Sequence, residues 1–245
     1  MKFALAQDTR IGARRVNQDR LGRWQNGEVL LLAVADGLGG HLRGEVAAQM
    51  AMEILGQEFE REARPRVADP EAFLARALHA AHAAILVEGR RMRLPETPRT
   101  VIVACLVQDG TAWWTHVGDA RLYFVRQSRV VHRTRDHSVV QQLIDQGRIR
   151  EEAAATHPER NRLLQCLGGE LVPRPAQVAS ERLAQDDVLV LCSDGFWGPL
   201  PQREVLHWLA TRPLADAIAE LAALAERRAG VQCDNVTVLA MTWAA

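Results

Sequence analysis

Residues 29–40, VLLLAVADGLGG, constrain the fold more than any other part of this chain. The apolar run has strand length, is closed by turn residues, and reads as a buried strand. It delivers Asp36 at its end, where the backbone turns through Gly37, Gly39 and Gly40. A carboxylate beside open glycine carbonyls is a place to hold a hard cation. Taken alone, the stretch reads more simply as a strand and a glycine turn, with Asp36 capping the next helix.

Around that strand the hydrophobic period assigns the other elements. Residues 2–7 and 20–24 read as strands, with a loop over residues 8–17 and a hairpin turn at Asn26-Gly27. Val46, Ala47, Met50, Ala51, Ile54 and Leu55 recur at helical spacing, giving a helix over residues 44–62. Asp69 and Pro70 open a second helix as N-cap and first-turn residue. His79 and His82 on it read as surface or edge residues, and residues 90–99 as a basic loop. Strands at residues 100–107, 111–117, 121–126 and 130–133, with a tight turn at Asp109-Gly110, read as an antiparallel meander. Short helices follow from Ser138 and from Glu151, then an irregular segment over residues 157–169. A very apolar strand at residues 187–192 ends in Ser193-Asp194-Gly195. Helices at residues 201–210 and 213–229 and a strand at residues 236–241 complete the chain. At least one of Trp113 and Trp114 belongs in the core. The elements do not alternate strand and helix, which argues against a doubly wound parallel sheet and for helices covering antiparallel sheets.

The 245 residues fit one large domain or two small ones, with 48% hydrophobic and 24% charged residues. Lys plus Arg and Asp plus Glu are 30 each, so no basic surface points to nucleic acid. Four dispersed cysteines without a CxxC pair make a zinc site or a disulfide framework an unexpected reading. No apolar run approaches a membrane span, and the amino terminus lacks a signal peptide's apolar core. A cytoplasmic protein without a membrane span is expected.

Asp36, Asp119 and Asp194 each end or follow an apolar strand next to a glycine, and Asp19 and Asp234 each precede one. One such aspartate is a turn residue by default. Several together repel unless a cation neutralises them. Oxygen-only ligands suit Mg²⁺ or Mn²⁺ rather than zinc, and water on such ions can attack a phosphoester.

The ordered set RRVNQD (residues 14–19), VADGLGG (34–40), VGDAR (117–121), DHS (136–138), HPERN (157–161), LG (167–168), LCSDG (191–195) and DNVTV (234–238) resembles the metal-dependent protein phosphatase family, protein phosphatase 2C, in its compact bacterial form. The resemblance spans nearly the whole chain. It implies an α+β fold, a four-layer αββα sandwich of two antiparallel sheets flanked by helices, in a single catalytic domain over residues 1–245. It further implies that Asp36 bridges two Mn²⁺ or Mg²⁺ ions and that the Gly37 carbonyl binds one of them. Asp194 and Asp234 complete the other, and Asp19 acts mostly through water. Asp119 matches a third metal site of bacterial relatives, and Arg14 holds the substrate phosphate. The implied reaction is hydrolysis of phosphoserine or phosphothreonine in proteins by a metal-bridging water, with Arg14 and Asp36 catalytic. The implied partners are phosphoprotein substrates and a cognate Ser/Thr kinase, and a monomer is expected.

Three positions depart from the family pattern. Gln18 stands where many relatives have glutamate. Leu38 stands where many eukaryotic relatives have a histidine proposed as the acid for the leaving group, while nearby His41 reads as a plain helix-start residue. Pro98-Arg99-Thr100 replaces the usual glycine-threonine pair. The segment over residues 136–161 matches a mobile flap that gates substrate, with an ordinary loop and helix as the alternative. Two other readings of the chain remain: a phosphoprotein-binding pseudophosphatase, and a two-metal phosphoesterase for small phosphates.

Overall fold

The computed structural model describes residues 2–38 and 43–244. Gly39, Gly40 and His41 lie outside the described residues. In chain order the elements are β1 (Lys2–Arg10), β2 (Arg20–Asn26), β3 (Val29–Gly37), α1 (Gly44–Glu62), α2 (Pro70–Arg91), β4 (Thr100–Gln108), β5 (Thr111–Val117), β6 (Arg121–Arg126) and β7 (Arg129–Arg133). There follow α3 (Val139–Asp145), a 3-10 turn (Glu151–Thr156), β8 (Ala179–Arg182), β9 (Val188–Cys192), α4 (Asp194–Trp197), α5 (Gln202–Thr211), α6 (Leu214–Ala229), a 3-10 turn (Gly230–Gln232) and β10 (Val236–Ala244).

The strands form two five-stranded antiparallel sheets, ordered β1-β10-β9-β6-β7 and β2-β3-β4-β5-β8. Side chains alternate across a strand, so one apolar run serves two layers. In β3, Leu30, Leu32 and Val34 face the opposite sheet, where they meet Phe124, Leu189, Leu191, Leu239 and Met241. Leu31, Ala33 and Ala35 face outward onto α1 and α2, against Ala47, Ala51, Leu55, Leu78 and Ala81. On the other sheet Val190, Cys192, Val238 and Ala240 pack on Ile218, Leu221 and Ala225 of α6. The result is the four-layer αββα sandwich. By the same parity Asp36 continues the row Leu30, Leu32, Val34, which carries it to the edge of the space between the sheets.

Local chemistry explains the ends of these elements. Asp69 caps α2 by accepting a hydrogen bond from the Ala72 amide at 2.9 Å, an arrangement worth about 1 kcal/mol. The first hairpin turns at Gly27-Glu28, one residue later than Asn26-Gly27, because Asn26 still pairs with Val29 and Gly27 takes the positive φ of 56°. β1 runs on to Arg10. Its polar end is held by a Thr9–Thr237 hydroxyl contact of 2.8 Å and by Arg10 bonded to Asp8 and Glu226. The short polar strand β8 was not expected. Its four residues pair with the edge of β5, where one face meets water.

Two expectations need correction. The strands β4 to β7 are not one meander: β4 and β5 lie in one sheet, β6 and β7 in the other. The chain changes sheet at Gly118, whose φ of +97° is closed to ordinary side chains. A Cβ there would also lie 2.1 Å from Val101 Cγ1. His82 is not a surface or edge residue. It is buried, and its Nδ1 accepts a hydrogen bond from the Gly168 amide at 3.1 Å, tying α2 to the irregular segment before β8.

Candidate metal and phosphate site

Five strand ends bring the candidate residues to one edge of the sandwich. Asp36 is the penultimate residue of β3, and its carbonyl accepts a 2.7 Å hydrogen bond from Thr100 Oγ1 on the neighbouring strand. Gly37 ends that strand, and its amide donates to the Gln18 carbonyl at 3.2 Å. A Cβ on Gly37 would meet the Gly44 carbonyl carbon and oxygen at 2.4 Å. Bare backbone on both residues is therefore what lets the start of α1 lie against the strand end.

Asp19 is almost fully buried just before β2, and its Oδ2 accepts a 2.8 Å bond from Ser193 Oγ. Ser193 in turn accepts from the Thr237 amide at 3.0 Å, so β9 and β10 together aim Asp19. Asp194 opens α4 directly after β9. Asp119 sits in the turn between β5 and β6, where its carbonyl accepts from Trp197 Nε1 at 3.1 Å. Asp234 precedes β10, and its Oδ2 lies 2.6 Å from Arg14 Nη2.

The carboxylates perturb one another strongly. Burial pushes Asp19 up to about 7, reinforced by the charges of Asp194 and Asp234 and opposed by the Ser193 bond. Burial and Asp234 raise Asp194 to about 6. Asp36 is raised well above the carboxylate range, first by burial and then by Asp19, Asp194, Asp119 and Asp234. Asp119 is raised in the same direction, by burial and then by Asp194. Asp36 and Asp194 lie close enough to perturb each other's protonation, and two ionised carboxylates so placed repel unless a proton or cation comes between them. Asp19 Oδ1 and Asp194 Oδ1 are buried with no hydrogen-bond partner. Among the described residues no three acidic, imidazole or thiol side chains are arranged so as to hold a metal ion by themselves. An oxygen-rich donor set with orphaned acceptors fits a hard divalent cation that keeps several waters.

Residues that the motifs contained without an assigned role hold this edge together. Asn235 Nδ2 donates to the carbonyls of Ile11 at 2.8 Å and Val16 at 3.2 Å, while its Oδ1 accepts from the Gln18 amide at 2.8 Å. One side chain thus fixes both ends of the loop that carries Arg14. Arg121 makes a two-pronged bond to Asp136 at 2.9 and 2.7 Å, with its guanidinium 3.4 Å over the Trp197 ring. This cluster ties the Asp119 turn to α4. The only sequence signal for Asn235 and Ser193 was that each adjoins a candidate aspartate.

The family model of protein phosphatase 2C matches residues 6–233. The chain belongs to the protein phosphatase 2C family. Its enzyme class is accordingly that of a protein serine/threonine phosphatase. It is 31% identical over 241 residues to a protein phosphatase 2C-type protein of Streptococcus pyogenes, covering 97% of this chain and 96% of that one. Among solved structures, the serine/threonine phosphatase Stp1 of Staphylococcus aureus superposes with a TM-score of 0.92 at 28% identity, covering 100% of this chain and 96% of that one. The catalytic domain of the phosphatase PstP, in complex with two manganese ions, is similar with a TM-score of 0.83 and 30% identity over 99% of each chain. The two sheets and their flanking helices are the architecture of this family.

Proposed function

We propose that residues 1–245 work as one catalytic domain that hydrolyses phosphoserine and phosphothreonine in proteins, using two Mn²⁺ or Mg²⁺ ions and opposing a bacterial Ser/Thr kinase. The observation that carries this reading is the crowding of Asp19, Asp36, Asp119, Asp194 and Asp234 at one sandwich edge, with two carboxylate oxygens left unpartnered.

Asp36 is central to the cluster and would be shared between the cations. The Gly37 carbonyl would complete one sphere, and Asp194 and Asp234 the other. Asp19, fixed by Ser193, would act mostly through water, and Asp119 would serve a third ion. When bound, the ions supply a polarised water for attack at phosphorus and neutralise charge on the transferred group. Arg14 is half exposed and sits on a loop clamped by Asn235, so it can leave Asp234 and donate in fork geometry to the substrate phosphate.

Four unpaired cysteines support a reducing, cytoplasmic setting. No helix among the described residues is long and apolar enough to cross a membrane. The domain would act as a monomer on phosphoprotein substrates.

The decisive assay measures release of phosphate from an aryl phosphate and a phosphothreonine peptide, with Mn²⁺ and with chelator. Asp36→Asn and Asp194→Asn should each lower turnover by about three orders of magnitude while the protein stays folded. Unchanged turnover in folded variants would sink the mechanism. Peptide binding by the wild type without turnover would instead assign the chain as a pseudophosphatase.

A further inference from the structure

A cleft of about 890 Å³ is lined by Leu38, Arg99, Cys166, Leu171, Val172 and Arg174 among others. It starts where β3 ends. Arg99 accepts a backbone hydrogen bond from the Leu38 amide at 3.0 Å, just before β4 begins. Val101 is the register partner of Asp36, so Arg99 stands two residues, or about 7 Å, further along that neighbouring strand. The next residue, Thr100, is bridged on its other side to Leu167. Arg99 therefore lies between the strand that presents Asp36 and the irregular segment that walls the cleft.

Among the described residues the positive charge in this cleft is not satisfied. Arg99 Nε is buried without an acceptor, and the Arg99 guanidinium has no ion pair among the described residues. The guanidinium of Arg174 is likewise unpaired among them. Only Arg162 is engaged, by Glu159 at 2.6 Å. Among the described residues the single acid lining the cleft is the exposed Glu170. Cys166 does not serve as counter-ion, because burial raises its thiol above the ordinary range and keeps it neutral. Leu171 and Val172 add exposed apolar surface, at 81% and 69%. A buried N–H without a partner is costly enough to be evidence of a missing acceptor.

We propose that Arg99 and Arg174 form an anion subsite that receives a carboxylate side chain of the phosphoprotein substrate, two or three residues from the phosphorylated Ser or Thr. This rests on the phosphatase reading above and adds a substrate class to it: acidic sequences around the phosphosite. The separation fits, because an extended peptide covers about 7 Å in two residues. The apolar wall at Leu171 and Val172 takes the neighbouring uncharged side chain. Arg99 occupies the place where the sequence departs from the family's glycine-threonine pair, so the subsite belongs to this chain rather than to the common metal chemistry.

The test uses phosphothreonine peptides carrying one Glu at each position within three residues of the phosphothreonine, an all-alanine-flanked peptide, and one carrying a second phosphothreonine. The readout is the ratio of kcat/KM for each acidic peptide to that for the neutral one. In the wild type this ratio should reach about tenfold at one or two positions and shrink as salt rises. In Arg99→Gln it should fall to near unity, in Arg99→Lys to an intermediate value, and in Arg174→Gln it should fall without any change near β4. Fluorescence anisotropy of the same peptides, labelled and in chelator, gives the ratio of Kd values. If the wild type fails to hydrolyse any peptide, the phosphatase reading fails and the Kd ratio alone decides the subsite. Equal ratios in wild type and both glutamine variants overturn the proposal. Preference for the second phosphate with none for Glu overturns the carboxylate assignment.

Discussion

Arg14 and Asp234 hold each other at 2.6 Å in a place that a cation and a phosphate would each claim. Removing the guanidinium has two opposite consequences. Arg14→Ala should lower kcat/KM on an aryl phosphate by roughly ten- to a hundredfold, the worth of lost charge-assisted hydrogen bonds. It should also tighten Mn²⁺ binding, because a positive charge no longer sits on a carboxylate proposed as a metal ligand. Calorimetric Mn²⁺ titration beside steady-state kinetics checks both signs, and Arg14→Lys should restore only part of the rate. Asn235→Ala removes partners from two carbonyls and one amide, and should cost about 2–3 kcal/mol in denaturant unfolding. The aspartates were readable because each stands beside a glycine at a strand end. The partners that aim them were not, since Ser193 and Asp19 are 174 positions apart and nothing local links them.

Elements were legible where one local signal dominates. α2 begins at Asp69-Pro70 because a cap and a first-turn proline coincide, and the Asp109-Gly110 turn follows from two adjacent positive φ values. The partition of four successive strands between two sheets was not legible, because apolar alternation gives a strand's faces but not its neighbours. β8 escaped for the opposite reason, its burial being too slight to leave a pattern. The crossover at Gly118 is secured from the far side by the Arg121–Asp136 pair, whose side chains are only 13% and 9% exposed. Asp136→Ala would leave a guanidinium buried without its counter-ion, and should destabilise the fold by about 3–5 kcal/mol. The close approach of β3 to α1 sets a second limit. Gly44→Ala would press a methyl on the Gly37 backbone and should cost about 2–3 kcal/mol. Chemical denaturation of each variant measures both penalties. A loss under 1 kcal/mol in either would mean that the element end relaxes more freely than its contacts imply.

At the scale of the whole molecule, the carboxylate cluster sets stability against function. Asp19 and Asp194, with folded values of about 7 and 6 against the ordinary 3.8, hold protons in the folded state that the unfolded chain has already released. Between pH 4 and 7 the folded form therefore binds more protons than the unfolded form, and unfolding free energy falls as pH rises. Metal-free protein should lose thermal stability progressively from about pH 4.5 to 7, opposite to a protein whose aspartates are stabilised by ion pairs. Asp36 and Asp119 are raised too and extend the trend upward. A divalent cation removes the repulsion and binds only the folded state, so saturating Mn²⁺ at pH 7 should add about 3 kcal/mol at a hundred times its Kd. Asp36→Asn should then do two things at once. It should raise the melting temperature of the metal-free protein at pH 7, because the folded state no longer has to bury and protonate that carboxyl group. It should also remove most of the Mn²⁺-induced rise, because the ligand proposed to be shared by the ions is lost. Melting curves of wild type and variant at pH 5 and pH 7, each with Mn²⁺ and with chelator, separate these effects. A wild type whose metal-free melting temperature climbs with pH would show that the cluster is neutralised by something other than a cation.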